Sequence, residues 1–247
     1  MKAMIFAAGM GTRLKPLTDT IPKALVPVAG KPLLQHTIEK LIASGFNEII
    51  INVHHFAEMI IDFVLANERF GIRIEFSDER EKLLDTGGAI KKAAWFFDNN
   101  QPFLIHNVDI LSNIDLRKLV EHHQESFSMA TLVCSIRETS RYLLFDDSNR
   151  LQGWVNEKTG EVKPPIPNIN PLEYQKLAFS GIHIMQPAIF HLMQDYPDTF
   201  SIIDFYIQNC SRMAIQSYFQ PNLITIDTGK AEAIVKAEQF ILQQSRF

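Results

Sequence analysis

Ala7-Ala8-Gly9-Met10-Gly11-Thr12-Arg13 follows directly on an apolar run over 3–8. A glycine-rich turn at the end of a strand lets backbone N–H groups converge on a phosphate, because no Cβ blocks the approach. Leu14 stands where a dinucleotide fingerprint needs its third glycine, and no Gly-Lys-Ser/Thr follows, so the turn is neither that fingerprint nor a Walker A loop. Ten residues beyond Arg13 comes Lys23, in Pro22-Lys23-Ala24-Leu25-Val26-Pro27. The prolines are expected to stiffen this segment in an extended form and hold Lys23 at a fixed reach. Arg13 and Lys23 would then clamp a triphosphate from two sides, both from solvent-facing loop. Residues 1–31 carry Lys2, Arg13, Lys15, Lys23 and Lys31 against Asp19 alone, a local charge of +4 in a chain whose net charge is −4. A basic segment in an acidic protein points to a local anionic ligand and argues against a broad nucleic-acid surface.

The elements that must position these residues alternate. Strands are expected over 3–8, 47–53, 72–76 and 103–108, and helices over 32–44, 56–67, 87–98 and 115–125, with Gly45 placed as a C-cap and Asp115 as an N-cap. That alternation is the signature of a layered α/β sheet. The second half reads as strands over 129–137, 142–145, 151–155 and 177–185. Between the last two lies a long irregular loop, 157–173, with four prolines. A helix after Pro187, another near 202–209, strands near 214–219 and 223–226, and an amphipathic helix over 230–244 complete the reading.

Composition sets the class. A chain of 247 residues, 46% hydrophobic and 21% charged, can bury one large domain, which excludes a disordered or fibrous protein. No run approaches the roughly 18 apolar residues of a membrane span, and Gly9, Gly11 and Arg13 interrupt the N-terminus too early for a secretory leader. A cytoplasmic protein is expected. Cys134 and Cys210 are too few for a disulfide framework or a zinc site. The adjacent pairs His54-His55 and His122-His123 lack the spacing of a helical metal pair and read as partly exposed surface groups.

Gly9-x-Gly11-Thr12-Arg13 followed by Pro22-Lys23-Ala24-Leu25-Val26-Pro27 resembles the signature of the sugar-1-phosphate nucleotidyltransferases. The resemblance runs through essentially the whole chain. It is nearest to short members that use N-acetylmuramate, mannose or heptose 1-phosphate, and nothing in the chain resembles the C-terminal β-helix of longer relatives. It implies a three-layer α/β/α fold with a mixed, mostly parallel sheet, in a single domain over 1–247. The nucleotide-binding half would span about 1–128 and the sugar-phosphate half about 129–247. Ala7, Ala8, Gly9, Gly11 and Thr12 would bind the nucleotide, together with Asn52, Thr86 and Gly87 of Asp85-Thr86-Gly87-Gly88-Ala89, and Asn107. Asp109, at the carboxyl end of an expected strand, and Asp227, in Ile224-Thr225-Ile226-Asp227-Thr228-Gly229, would hold Mg²⁺. Glu157, Lys158, Ser180 and Gly181 would meet the sugar phosphate. Three positions depart from the family pattern: Val108 replaces a usual glycine, Ile226 a usual tryptophan, and Thr159 a proline after Glu157-Lys158.

The implied reaction transfers a nucleoside monophosphate from an NTP to a sugar 1-phosphate. A phosphate monoester, with a second pKa near ~6, is already a nucleophilic dianion at neutral pH, so the lack of a Ser–His–Asp or Cys–His arrangement is expected. What such a transfer needs is positioning and charge control. A phosphocholine-type acceptor, with cytidylyl transfer, and a catalytically silent regulatory homologue are the rivals; the latter usually loses a residue of the set Arg13, Lys23, Asp109 and Asp227, all present here. Neither Asn52 nor the stretch 84–87 separates uridine from guanosine or thymidine.

Overall fold

The computed structural model describes residues 1–163 and 169–244. Its elements begin with β1 (Lys2–Phe6), β2 (Pro27–Val28), β3 (Lys31–Pro32), α1 (Leu33–Ala43), β4 (Glu48–Val53), α2 (Ala57–Ala66) and β5 (Arg73–Asp78). Next come α3 (Asp85–Lys92), β6 (Phe103–Asn107), β7 (Ile110–Ser112), α4 (Leu116–Ser126), β8 (Ala130–Ser135), β9 (Arg141–Phe145), β10 (Leu151–Asn156) and β11 (Glu161–Lys163). The chain continues with β12 (Gln175–Met185), α5 (Ile189–Met193), α6 (Ile202–Asn209), β13 (Ile215–Tyr218), β14 (Thr225–Asp227) and α7 (Ala231–Gln244). These residues form two units that interleave along the chain. The first comprises 1–83, 105–114 and 224–244, the second 84–104 and 115–223.

Runs of Ile and Val without polar interruption favour parallel strands buried on both faces, and the first unit is built on them. β1 pairs with β4 in parallel, from Lys2↔Glu48 to Phe6↔Asn52, and β4 pairs with β5 in parallel. Ala3, Met4, Ile5, Ile49, Ile50 and Ile51 are fully buried. In α1, Leu33, Leu34, Thr37, Ile38 and Leu41 form the buried face. Gly45, at φ 91°, ends that helix: its N–H donates to Ile42 O at 2.9 Å and the Phe46 N–H to Leu41 O at 3.0 Å, a Schellman pair. β7 and β14 form a short antiparallel ladder that sets Asp227 opposite Ile110.

The second unit joins β8 to β12, β12 to β9, β9 to β10 and β10 to β11 with antiparallel pairings, and β13 to β8 in parallel. Parallel and antiparallel ladders, flanked by helices, make the mixed α/β architecture that the alternation of elements predicts. No described helix is long and apolar enough to cross a membrane.

Three expectations are corrected. The segment 157–173 is not uniformly irregular: 157–160 is a turn into β11, which pairs with β10, and Pro171–Glu173 is a 3₁₀ turn; 164–168 lie outside the described residues. Lys23–Leu25 is likewise a 3₁₀ turn, with only the flanking Pro22 and Val26 extended, because the Leu25 N–H reaches back to Pro22 O at 2.8 Å. His123 is not at the surface. It is fully buried, bonded to Thr131 Oγ1 at 2.8 Å and Gln186 Nε2 at 3.1 Å, and burial pushes its pKa down to about 4.

Candidate active site

The glycine turn leaves the buried end of β1 and rises into solvent. Ala7 and Ala8 are buried, whereas Gly9, Met10, Thr12 and Arg13 are exposed. Gly11 has φ 64°, in the left-handed region, and a Cβ there would lie 2.9 Å from Thr18 Cγ2 and 3.0 Å from Lys23 Cβ. The glycine therefore lets the turn approach the Lys23 segment. Thr18 Oγ1 donates to Gly11 O at 2.8 Å and fixes that approach.

Lys23 is not the free, solvent-facing cation its loop position suggests. Its side chain is 11% exposed and its ammonium forms an ion pair with the Asp109 carboxylate, itself 17% exposed. Asp109 sits between β6 and β7, and its backbone oxygen accepts from both the N–H and the Oγ1 of buried Thr228, each at 2.9 Å. That clasp and the β7–β14 ladder bring the Asp109 and Asp227 segments together. The Asp227 Oδ1 accepts from the Gly229 N–H at 2.8 Å, closing a turn ahead of α7. A Cβ on Gly229 would lie 2.7 Å from both Asp227 Oδ1 and Arg13 Nη2, so Arg13 lies against the same turn. Arg13, Lys23, Asp109 and Asp227 thus share one rim of the first unit.

Two carboxylates on adjoining segments are a donor set that suits Mg²⁺, which takes one or two carboxylates and completes its sphere with phosphate oxygens and water. Among the described residues no group of three or more His, Cys, Asp or Glu side chains could enclose a metal by itself. Asn107 lies at the end of β6, half-buried. The adjacent His106 is buried, with Nδ1 2.8 Å from Asn107 O, and burial holds its pKa at about 3. It stays neutral and offers no cation to the site.

Asn52 is 4% exposed, and both ends of its amide are occupied. Oδ1 accepts from the Ala7 N–H at 2.7 Å and the Ala8 N–H at 3.3 Å, while Nδ2 donates to Glu79 Oε1 at 2.8 Å. It supports the strand end from which the glycine turn springs rather than presenting a free amide. Asn52→Ala would strand two buried N–H donors at about 1–3 kcal/mol each. We expect a melting temperature lower by several degrees, read by thermal unfolding.

The second unit holds the remaining candidates. Thr86 Oγ1 accepts from the Ile202 N–H at 2.9 Å, and the Gly87 N–H donates to Phe200 O at 2.8 Å. A Cβ on Gly87 would lie 2.3 Å from the Phe200 ring, and one on Gly88 1.9 Å from Asp198 O. Close packing inside this unit therefore requires both glycines. Glu157 pairs with Lys176 at 2.8 Å, and Lys158 is exposed. Ser180 is buried, its hydroxyl without a partner among the described residues, and Gly181 takes φ 71°. None of these four lines the cavity of about 460 Å³ in this unit, whose walls include Leu143, Trp154, Phe179, Arg137, Arg141 and Lys163. Phe179 and Ser180 are neighbours on β12 and face opposite ways. Sequence reasoning missed the two arginines and Trp154, although Trp154 precedes Glu157 by only three residues. It also missed Thr228, a lone hydroxyl with no periodic signal.

The family model described as nucleotidyl transferase matches residues 2–244. The mannose-1-phosphate guanylyltransferase catalytic subunit beta of Danio rerio is 32% identical over 202 residues, 80% of this chain and 53% of that protein. The N-acetylmuramate alpha-1-phosphate uridylyltransferase of Caulobacter vibrioides is 34% identical over 196 residues, 76% of each chain. The chain spans about half the length of the first of these relatives. The crystal structure of HddC from Yersinia pseudotuberculosis complexed with GMP-PN superposes with a TM-score of 0.76 at 26% identity, covering 97% of this chain and 99% of that one.

Proposed function

We propose that this chain, which belongs to the nucleotidyl transferase family, transfers a nucleoside monophosphate from an NTP to a sugar 1-phosphate and releases pyrophosphate. The observation that carries the reading is the rim on which Lys23, Asp109, Asp227 and Arg13 gather around the glycine turn. The relatives named above act on such substrates, and this chain retains every charged residue that the chemistry calls on. In this reading residues of about 1–128 bind the nucleotide and those of about 129–247 the acceptor, within one catalytic domain of the cytoplasm.

Before substrate binds, the Lys23 ammonium and the Asp109 carboxylate neutralise one another. An NTP in the glycine turn offers Lys23 a stronger partner, the α-phosphoryl oxygens, and frees the carboxylate. Arg13 meets the β- and γ-phosphates, where pyrophosphate develops as the leaving group. Asp109 and Asp227 would hold Mg²⁺, which when bound offsets the negative charge of donor and acceptor. No general base is required, because the acceptor arrives as a dianion.

The test is a pyrophosphate-release screen of the four NTPs against glucose, mannose, heptose, N-acetylglucosamine and N-acetylmuramate 1-phosphates, with phosphocholine as a further acceptor. Release with a sugar 1-phosphate supports the reading, release with phosphocholine and CTP alone replaces it, and release with none makes the chain a silent homologue. Asp227→Asn sharpens the metal assignment. Asparagine keeps the oxygen that accepts from the Gly229 N–H, so the melting temperature should hold while most turnover is lost. Full activity of that variant at limiting Mg²⁺ would remove Asp227 from the site.

A further inference from the structure

One clasp ties the Asp109 segment to the Asp227 segment, and the residue that makes it, Thr228, carries no charge to offer a phosphate. β7 and β14 have three residues each, a two-stranded ladder too short to hold its ends firmly by itself. Their pairing ends at Asp227↔Ile110. One residue further on, the Thr228 N–H donates to Asp109 O at 2.9 Å, as the next rung of the same ladder would. Thr228 Oγ1 donates to that same oxygen, also at 2.9 Å. From the other side the Val108 N–H reaches Phe6 O, at the end of β1, at 3.2 Å. Thr228 is fully buried, and its hydroxyl is taken up by this one carbonyl.

We infer that Thr228 is a positioning residue for the metal carboxylates: its two hydrogen bonds to Asp109 O fix the spacing of Asp109 and Asp227, and so set the affinity of that pair for a divalent cation. This rests on the transferase reading above, in which both carboxylates serve Mg²⁺. Mg²⁺ demands near-ideal octahedral geometry, so two carboxylates on separate segments bind it only when those segments keep a fixed separation. The backbone N–H alone would leave that separation to a single hydrogen bond at a ladder end. The hydroxyl doubles the attachment and, being shut away from water, has no competing partner. Removing a group that orients a metal's ligands typically weakens the metal's binding about 10–100-fold.

Mn²⁺ alone is the probe, with the free ion followed by electron paramagnetic resonance. Lys23 is paired with Asp109 in the free chain, so the series is measured in Lys23→Ala, which opens the carboxylate to the ion. Adding Thr228→Val, which keeps the shape and removes the hydroxyl, should raise the Kd for Mn²⁺ about tenfold. Thr228→Ser keeps the hydroxyl and should leave the Kd near that of Lys23→Ala. Asp227→Asn in the same background should also weaken binding, which places the ion at the carboxylate pair. If Thr228→Val does not fold, Thr228→Ala set against Thr228→Ser isolates the same hydroxyl. A Thr228→Val protein that melts lower yet binds Mn²⁺ as Lys23→Ala does would make the role merely structural and overturn the inference. So would a Thr228→Ser protein as weak as Thr228→Val, or Mn²⁺ binding that ignores Asp227→Asn or is absent. Pyrophosphate release by the wild-type chain is measured in parallel. Release with an unmoved Kd leaves the transferase reading standing without this inference. A raised Kd with no release from any NTP and acceptor supports the positioning role and sinks the transferase reading.

Discussion

Lys23→Ala is expected to lose about 10²–10³ of turnover, the usual consequence of removing a charged group aimed at the reacting phosphoryl. The residue is held for that task. Its 3₁₀ turn is flanked by extended Pro22 and Val26, and the missing Cβ of Gly11 lets the glycine turn approach it. Stability should move far less than activity. Removing the ammonium leaves Asp109 without its partner, but at 17% exposure the carboxylate retains some water, so the cost is about 1–2 kcal/mol. The double variant Lys23→Ala/Asp109→Asn separates the two effects. It should recover the melting temperature, because no uncompensated charge remains, and recover none of the turnover. Pyrophosphate-release kinetics beside thermal melts make the comparison. Near wild-type turnover in Lys23→Ala would remove the lysine from the reaction.

Gly88→Ala should show the opposite balance, a large loss of stability at a position with no charge to lose. A Cβ there would lie 1.9 Å from Asp198 O and 3.0 Å from both Asp198 C and Leu84 Cβ. The obstacle is backbone, and the helix start cannot retreat freely, because the Gly87 and Gly88 N–H groups both donate to Phe200 O, at 2.8 and 3.3 Å. Overpacking of this kind costs about 3 kcal/mol or more, which in a chain of this size is a fall of roughly 6–12 °C in melting temperature. Gly9→Ala is the control. Among the described residues beyond its chain neighbours no atom lies within 4 Å of its Cβ position, and its φ is not left-handed, so its melting temperature should match wild type. A Gly88→Ala protein that melts with wild type would mean that the Asp198–Phe200 segment yields easily.

What the sequence disclosed follows from the range over which each signal acts. The α1 helix, bounded by Pro32 and Gly45, and the isoleucine-rich β4 carry local, periodic signals, and both are found within a residue or two of where the pattern puts them. The glycine turn and Lys23 are likewise legible, since spacing and residue type alone suggest a phosphate clamp. Partners made by tertiary contact are not. β7 and β14 have three residues each, too short for periodicity, yet their ladder sets Asp227 opposite Ile110. The family resemblance puts Asn52 at the nucleotide, but its amide oxygen is taken by two backbone donors. Gly87 and Gly88 read as a nucleotide motif, and the neighbours that would clash with their side chains are more than a hundred residues later. His123 looked like half of a surface pair until α4 packed it against Thr131.

The central claim is that an NTP's α-phosphorus moves to a sugar phosphate oxygen, and isotope tracing tests it most directly. The chain is incubated with Mg²⁺, an NTP labelled at the α-phosphorus and an excess of each sugar 1-phosphate, and the products are separated. The account predicts that, with at least one base and sugar, the label appears in a nucleoside diphosphate sugar while unlabelled pyrophosphate accumulates in equal amount. Label recovered only as free nucleoside monophosphate or diphosphate, or left wholly in the NTP with every acceptor, would contradict it.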